Sequence, residues 1–335
     1  MRGCIMAEVV LAGLTKSFGA TRALADVTMT IPDGAFVVLL GPTGAGKTTT
    51  LRLIAGLDRP DTGDVRIAGR SVLGDTPAQR DVAMVFQQYS LYPHLTVREN
   101  LAFPLRSPVL NWPEAEIAKK VGEVAEVLRI AHKLDNKATQ LSGGEMQRVS
   151  IGRALVRNPR IYLMDEPLSS LDAKLRADLR IELKRIHAEL GATFLYVTHD
   201  QIEAMTMASH VGVLDQGRLV QFGTPRDIYE NPVSTYVASR LGQPRINLLP
   251  ADAFGQARPG AAQIGLRPEH VRLGEGQPAT VRRVEHLGDQ TRLHLTMGTH
   301  EIITLTDPHT PLAAGESVAI RPETPLWFDA SGNRM

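Results

Sequence analysis

Apolar and polar positions recur along the first two-thirds of the chain in two distinguishable ways. VVLAGL (9–14), VTMTI (27–31) and VRIAG (65–69) alternate with a period near two, which predicts strands with one face in a core. AFVVLL (35–40), VAMVF (82–86), IYLM (161–164), TFLYV (193–197) and VGVL (211–214) are short and apolar throughout, the pattern of central strands buried on both faces. Helices are predicted over 48–56, 114–130, 145–157, 173–190 and 200–208. Strands alternating with helices imply an α/β fold on a mostly parallel sheet. From about 90 to 155 the rhythm gives way to helices alone, so an inserted helical subdomain is expected there. Past residue 240 the pattern changes to closely spaced alternating runs, TVRRVEHLG (280–288), QTRLHLTMG (290–298), HEIITL (300–305) and ESVAIRP (316–322). These predict a small all-β domain, a barrel, and a division into domains at 1–240 and 241–335.

Composition narrows the picture. A chain of 335 residues suits two domains, and a net charge of +1 implies no broad basic face for nucleic acid. The single cysteine, Cys4, excludes an internal disulfide and fits a reducing compartment. Spanning a bilayer takes roughly 20 apolar residues in a row; the longest run here is Ala35 to Leu40. The start, MRGCIMAEVVL, does not read as a signal peptide, and Met6 is a second candidate start. Work at a membrane would require a partner to hold the chain there.

GPTGAGKTT, residues 41–49, carries the first chemistry. Gly41, Gly46, Lys47 and Thr48 match G-x-x-x-x-G-K-[ST] between a buried strand and a helix. Such a loop turns the amides of Gly41, Pro42, Thr43, Gly44, Ala45, Gly46, Lys47, Thr48 and Thr49, the imino nitrogen of Pro42 excepted, toward phosphate oxygens at a helix amino end. Lys47 adds positive charge near the β- and γ-phosphates, and the Thr48 hydroxyl suits Mg2+. Kinases and GTPases share this motif, so alone it predicts only a nucleotide binder.

IYLMDEP (161–167) sets two carboxylates at the end of a buried strand. Asp165 is suited to hold magnesium, and Glu166 to act as the base on the attacking water. FLYVTHD (194–200) ends another strand in His199, placed to contact the γ-phosphate and steady Glu166. Gln87, after VAMVF, can orient water or complete a magnesium shell.

LSGGEMQR (141–148) separates the P-loop classes. Ser142 and Glu145 form S-x-x-E, a helix capping box, but capping does not require Gly143 and Gly144. With these motifs in order across most of residues 8–240, the chain resembles the ATP-binding cassette (ABC) family. The resemblance implies that Ser142, Gly143, Gly144 and Glu145 form the signature motif, contacting the γ-phosphate of ATP bound to the other subunit. It makes Gln87 the Q-loop glutamine, His199 the switch histidine and SSLD (169–172) the D-loop, with Asp172 at the dimer seam. Phe18 occupies the place of an adenine-stacking aromatic, with a core phenylalanine as the competing reading. One P-loop and one signature per chain then imply a head-to-tail homodimer with two ATP sites. Tyr89, Tyr92, Pro93 and His94, expected on an exposed loop, would receive a cytoplasmic helix of the permease.

In the tail, QPRINLLP (243–250), IGLRPEHVRL (264–273) and RPETPLWFD (321–329) resemble the transport-associated OB (TOBE) domain of carbohydrate-importer ATPases. The expectation is an ATPase at the cytoplasmic face of the inner membrane, working with two transmembrane permease subunits and an extracytoplasmic solute-binding protein to import sugars or polyols. An importer of polyamines, iron or anions is the alternative, and a soluble non-transport ABC ATPase belongs to a different class.

Overall fold

The two periodicities separate two sheets. In this computed structural model, which describes residues 7–108, 110–255 and 257–335, the chain forms two units, the first ending at Pro225 and the second running from Arg226 to Met335. Cys4 and Met6 lie outside the described residues. The first unit runs β1 (Val9–Phe18), β2 (Thr21–Ile31), β3 (Phe36–Leu40), α1 (Lys47–Ala55), β4 (Thr62–Ile67), β5 (Arg70–Ser71) and β6 (Val82–Val85). It continues through α2 (Val97–Ala102), α3 (Glu114–Val127), α4 (Gly143–Leu155), β7 (Ile161–Asp165), α5 (Ala173–Leu190), β8 (Thr193–Thr198), α6 (Gln201–Met207), β9 (His210–Asp215) and β10 (Arg218–Gly223).

The continuously apolar runs form a six-stranded sheet, order β10-β9-β3-β8-β7-β6, parallel except for β10. Every residue of β3, β7 and β8 is buried, as strands covered on both faces require. The alternating runs form a separate antiparallel sheet, order β2-β1-β4-β5. Val9 and Leu11 of that sheet, Leu51 and Ile54 of α1, and Val37, Leu163 and Leu195 of the parallel sheet join one apolar core. Among the described residues between β6 and β7 the regular elements are all helical. The short helix α2 adds to the expected elements; Thr96 and Glu99 cap it reciprocally, with Thr96 N donating to Glu99 Oε2 at 2.7 Å.

The second unit contains α7 (Pro225–Glu230, beginning at the unit boundary), α8 (Thr235–Arg240), β11 (Asn247–Pro250), β12 (Gln263–Leu266), β13 (Val271–His286), β14 (Thr291–Met297), β15 (His300–Thr306), β16 (Ser317–Pro322) and β17 (Leu326–Phe328). Two antiparallel sheets result, β11-β12-β17 and β15-β14-β13-β16. Asn247 ties them together: its Nδ2 donates to Leu266 O at 3.1 Å and Ile303 O at 2.9 Å, and its Oδ1 accepts from Ile303 N at 2.8 Å.

Arg267, in the RPEH segment, is 2% exposed and acts as an internal pin. It donates to the carbonyls of Ala238 (3.0 Å), Leu241 and Tyr229 (2.8 Å), and its guanidinium lies 3.8 Å from the centre of the Tyr229 ring. Its removal leaves buried carbonyls without donors, each costing about 1–3 kcal/mol. Arg267→Met is therefore expected to destabilise the protein by roughly 3 kcal/mol. An unchanged urea midpoint in the variant would refute the pin.

Candidate functional site

Strand order brings the predicted residues together. β3, β8 and β7 are neighbours, with Leu40 paired to Thr198 and Asp165 to Val197. Gly41, His199 and Glu166 each follow the carboxyl end of one of these strands, the edge where open parallel sheets place their ligand sites.

The loop from Gly41 to Gly46 enters α1 without a side-chain cap, leaving its first amides unclaimed by any cap residue. Gly46 sits at φ 99°, and a Cβ there would lie 2.5 Å from Leu24 Cδ2 and 2.6 Å from Ala23 O. A side chain would meet both backbone strain and a backbone oxygen. Gly46→Ala is expected to weaken ATP binding by about tenfold or more, from ~1–2 kcal/mol of left-handed strain transmitted to the loop. Titration with a fluorescent ATP analogue checks this.

Lys47 is buried, and its Nζ donates to the carbonyls of Gly41 (2.9 Å) and Pro42 (3.0 Å) and lies 3.5 Å from Glu166 Oε1. Burial lowers its pKa, opposed by the charge and hydrogen bond of Glu166. Glu166 reaches in two directions, because its Oε2 lies 3.0 Å from His199 Nδ1. Its backbone is left-handed, φ 41°, uncommon for a residue with a side chain, and its N–H donates to Val197 O at 3.1 Å. The strand edge thus holds the carboxylate between an ammonium and an imidazole.

Asp165 is buried, and Thr48 Oγ1 donates to its Oδ1 at 2.9 Å. Burial raises its pKa, Thr48 counteracts that rise, and the charge of Glu166 adds to it. A carboxylate and a hydroxyl in contact are hard oxygen donors of the kind Mg2+ accepts beside phosphate oxygens. Among the described residues no three His, Cys, Asp or Glu side chains cluster as a metal site. Gln87 is exposed, two residues beyond β6, and among the described residues no hydrogen bond ties it to Thr48, Asp165 or Glu166.

Ser142 caps α4: its N–H donates to Glu145 Oε2 at 2.8 Å, and Glu145 N–H reaches Ser142 Oγ at 3.4 Å. The paired glycines have reasons within the chain. A Cβ on Gly144 would fall 2.2 Å from Leu175 Cδ2, and one on Gly143 would lie 3.1 Å from the Tyr89 hydroxyl. Among the described residues no hydrogen bond joins residues 142–145 to residues 41–49. Asp172 caps α5, its Oδ1 accepting from Leu175 N at 2.9 Å. Phe18 is 49% exposed at the end of β1, with Lys16 Nζ 5.4 Å from its ring centre, so it is not a core residue.

The loop after Gln87 differs from expectation. Tyr89 and Tyr92 are half-buried: the Tyr89 hydroxyl is 3.1 Å from Ser170 Oγ, and Tyr92 packs on Phe103 with Arg153 4.7 Å from its ring centre. Pro93 and His94 are exposed. The outward apolar groups of this unit instead include Leu57, Phe86 and Phe103, with Phe86 38% and Phe103 47% exposed. Leu57 and Phe86 line a groove of about 380 Å³ with Met84, Pro104 and Leu110. Phe86 closes the apolar run VAMVF, and a run apolar at every position does not reveal which residue the sheet leaves uncovered. Also unforeseen are two bonds around the turn after β8: Asp200 caps α6 through Ile202 N (2.7 Å), and the Tyr196 hydroxyl donates to buried Glu203 at 2.8 Å.

The fold and the strand-edge site define a P-loop nucleotide-binding protein. The family described as ABC transporter matches residues 24–169, and the TOBE domain matches residues 264–327. The chain is 44% identical to the sn-glycerol-3-phosphate import ATP-binding protein UgpC of Ruegeria pomeroyi, over 93% of each chain. It is 43% identical to the protein of that name from Rhizobium meliloti, over 98% of this chain and 100% of that one. Among solved structures, the dimeric bacterial ABC transporter cassette MJ0796 is 32% identical, with a TM-score of 0.59, covering 65% of this chain and 99% of that one. The chain belongs to the ABC transporter ATP-binding proteins. It is an ATP-hydrolysing transporter subunit, and no helix among the described residues is long and apolar enough to cross a membrane.

Proposed function

We propose that this ATPase powers import of sugars or related polyols, including phosphorylated polyols such as glycerol 3-phosphate. The observation that carries the solute class is near full-length similarity to glycerol-3-phosphate import proteins, TOBE domain included. The site supports hydrolysis through Glu166, held between Lys47 and His199. In this reading the loop from Gly41 to Thr49 binds the phosphates, Lys47 exchanges carbonyl partners for β- and γ-phosphate oxygens, and Phe18 stacks on adenine. Glu166 takes a proton from the attacking water, while His199 orients its carboxylate. Thr48, Asp165 and, after loop movement, Gln87 would hold Mg2+, which when bound neutralises charge on the phosphates.

A second copy completes each site. Its α4 amino end, Ser142 to Glu145, would face the γ-phosphate, with Asp172 near the seam; one related cassette is described as dimeric. Two permease subunits would dock on the groove flanked by Leu57 and Phe86, holding the ATPase at the cytoplasmic face of the inner membrane. A solute-binding protein would act from the other side, and the β-rich tail, 241–335, would serve dimerisation and regulation. The test is ATPase stimulation of the reconstituted complex by binding protein loaded with glycerol 3-phosphate, maltose or other sugars. Stimulation only by a polyamine, ferric iron or an inorganic anion would sink the solute assignment.

A further inference from the structure

The second unit contains a pocket lined by two arginines that form no ion pair among the described residues. In β13 the register against β14 slips between Val281 and Arg283, making Arg282 the extra residue of a bulge. Bulges re-aim side chains away from the in-and-out alternation of a strand. Arg282 Nε donates to Thr296 Oγ1 at 3.0 Å, which leaves the two terminal amino groups of its fork. Arg282 lines a pocket of about 310 Å³ with Arg245, Asn247, Thr296 and Glu301. One wall is fixed, because the Asn247 side chain is bonded to both strands it spans. Ile246 and Leu295 supply apolar surface.

Five arginines of this unit meet a carboxylate. Arg226 meets Glu230, Arg272 meets Glu323, Arg283 and Arg292 share Glu285, and Arg321 meets Glu275. Among the described residues Arg245 and Arg282 meet none, although Glu301 lines the same pocket. Two guanidinium groups lining one cavity suit a multidentate oxyanion that would offset their mutual repulsion. A phosphomonoester offers three terminal oxygens and up to two negative charges, more than one carboxylate supplies. Glu301 and Thr296 can bond hydroxyl groups, and the apolar flank suits a carbon face. The volume is at the lower limit of small-molecule sites, roughly 300–1,000 Å³, and excludes a ligand as large as a dinucleotide.

We propose that this pocket binds the phosphate ester of a small polyol or sugar, at a site separate from the ATP site. The proposal does not rest on the identity of the transported solute. It is tested by calorimetry on the full chain with saturating Mg-ADP filling the P-loop, titrating glycerol 3-phosphate, glucose 6-phosphate, inorganic phosphate and glycerol in turn. The expected result is saturable binding of at least one ester, one per chain, weakened by salt and tighter than inorganic phosphate or glycerol. The double variant Arg245→Ala, Arg282→Ala is expected to lose about tenfold or more in ester affinity, with basal ATP hydrolysis unchanged. The control Arg258→Ala is expected to bind as the parent does. No ester binding in the parent, equal binding in the double variant, or inorganic phosphate binding as tightly as the esters would each overturn it. So would light scattering that shows the double variant losing self-association while the parent binds no ester, which would assign this face to a second copy.

Discussion

Glu166→Gln is expected to lower the ATP turnover number by about 10²–10⁴, the usual contribution of a positioned base. The amide keeps the size of the carboxylate and can still approach Lys47, which lies 3.5 Å from Oε1, and His199, which lies 3.0 Å from Oε2. It cannot accept a proton from water. ATP affinity is expected to stay near that of the parent, because the loop glycines and Lys47 are untouched. Nucleotide should then trap a dimer visible by size exclusion if, as proposed, closure precedes cleavage. Turnover within threefold of the parent would remove Glu166 from the role of base. Equal losses in binding and turnover would point instead to a collapse of the Lys47 environment.

The second large effect is expected at Ser142, where one side chain caps its helix and, in the proposed dimer, would also make the trans contact. Ser142→Asp retains a good cap and so should leave stability nearly intact. It places a carboxylate where the γ-phosphate of the partner's nucleotide is to sit, and ATPase activity should fall by roughly 10²-fold or more, as when a donor to transition-state charge is removed. Ser142→Arg should lose the cap as well, costing about 1 kcal/mol, and should block ATP-dependent dimerisation without abolishing ATP binding to the single subunit. Full activity in Ser142→Asp with stability unchanged would reduce this serine to the capping function its bonds with Glu145 display.

Much of the fold is legible in the linear pattern. The expected strand 161–164 is β7, Ile161–Asp165, and the expected helix 173–190 is α5, Ala173–Leu190. The contrast between alternating and continuously apolar runs sorted antiparallel from parallel strands, because it records whether one or both faces are covered. The motif residues were equally legible, since a phosphate loop or a helix cap is built from contiguous backbone. The loop after Gln87 was less so: its tyrosines were expected outside, yet Tyr89 bonds Ser170 and Tyr92 packs on Phe103.

Contiguity draws the dividing line. Everything set by neighbours along the backbone was in the order of residues: Gly46 before α1, Ser142 before Glu145, Asp165 and Glu166 after a buried strand. Convergence was not. Thr48 and Asp165 are 117 positions apart and meet at 2.9 Å because β3, β8 and β7 lie side by side in that order. Likewise, Leu175 packs against α4 at Gly144, where any added side chain would have to displace it, and a one-residue slip in β13 turns Arg282 into a pocket. Such contacts depend on which surfaces pair across long stretches of chain, and pairing energy belongs to the assembled core, not to any single segment.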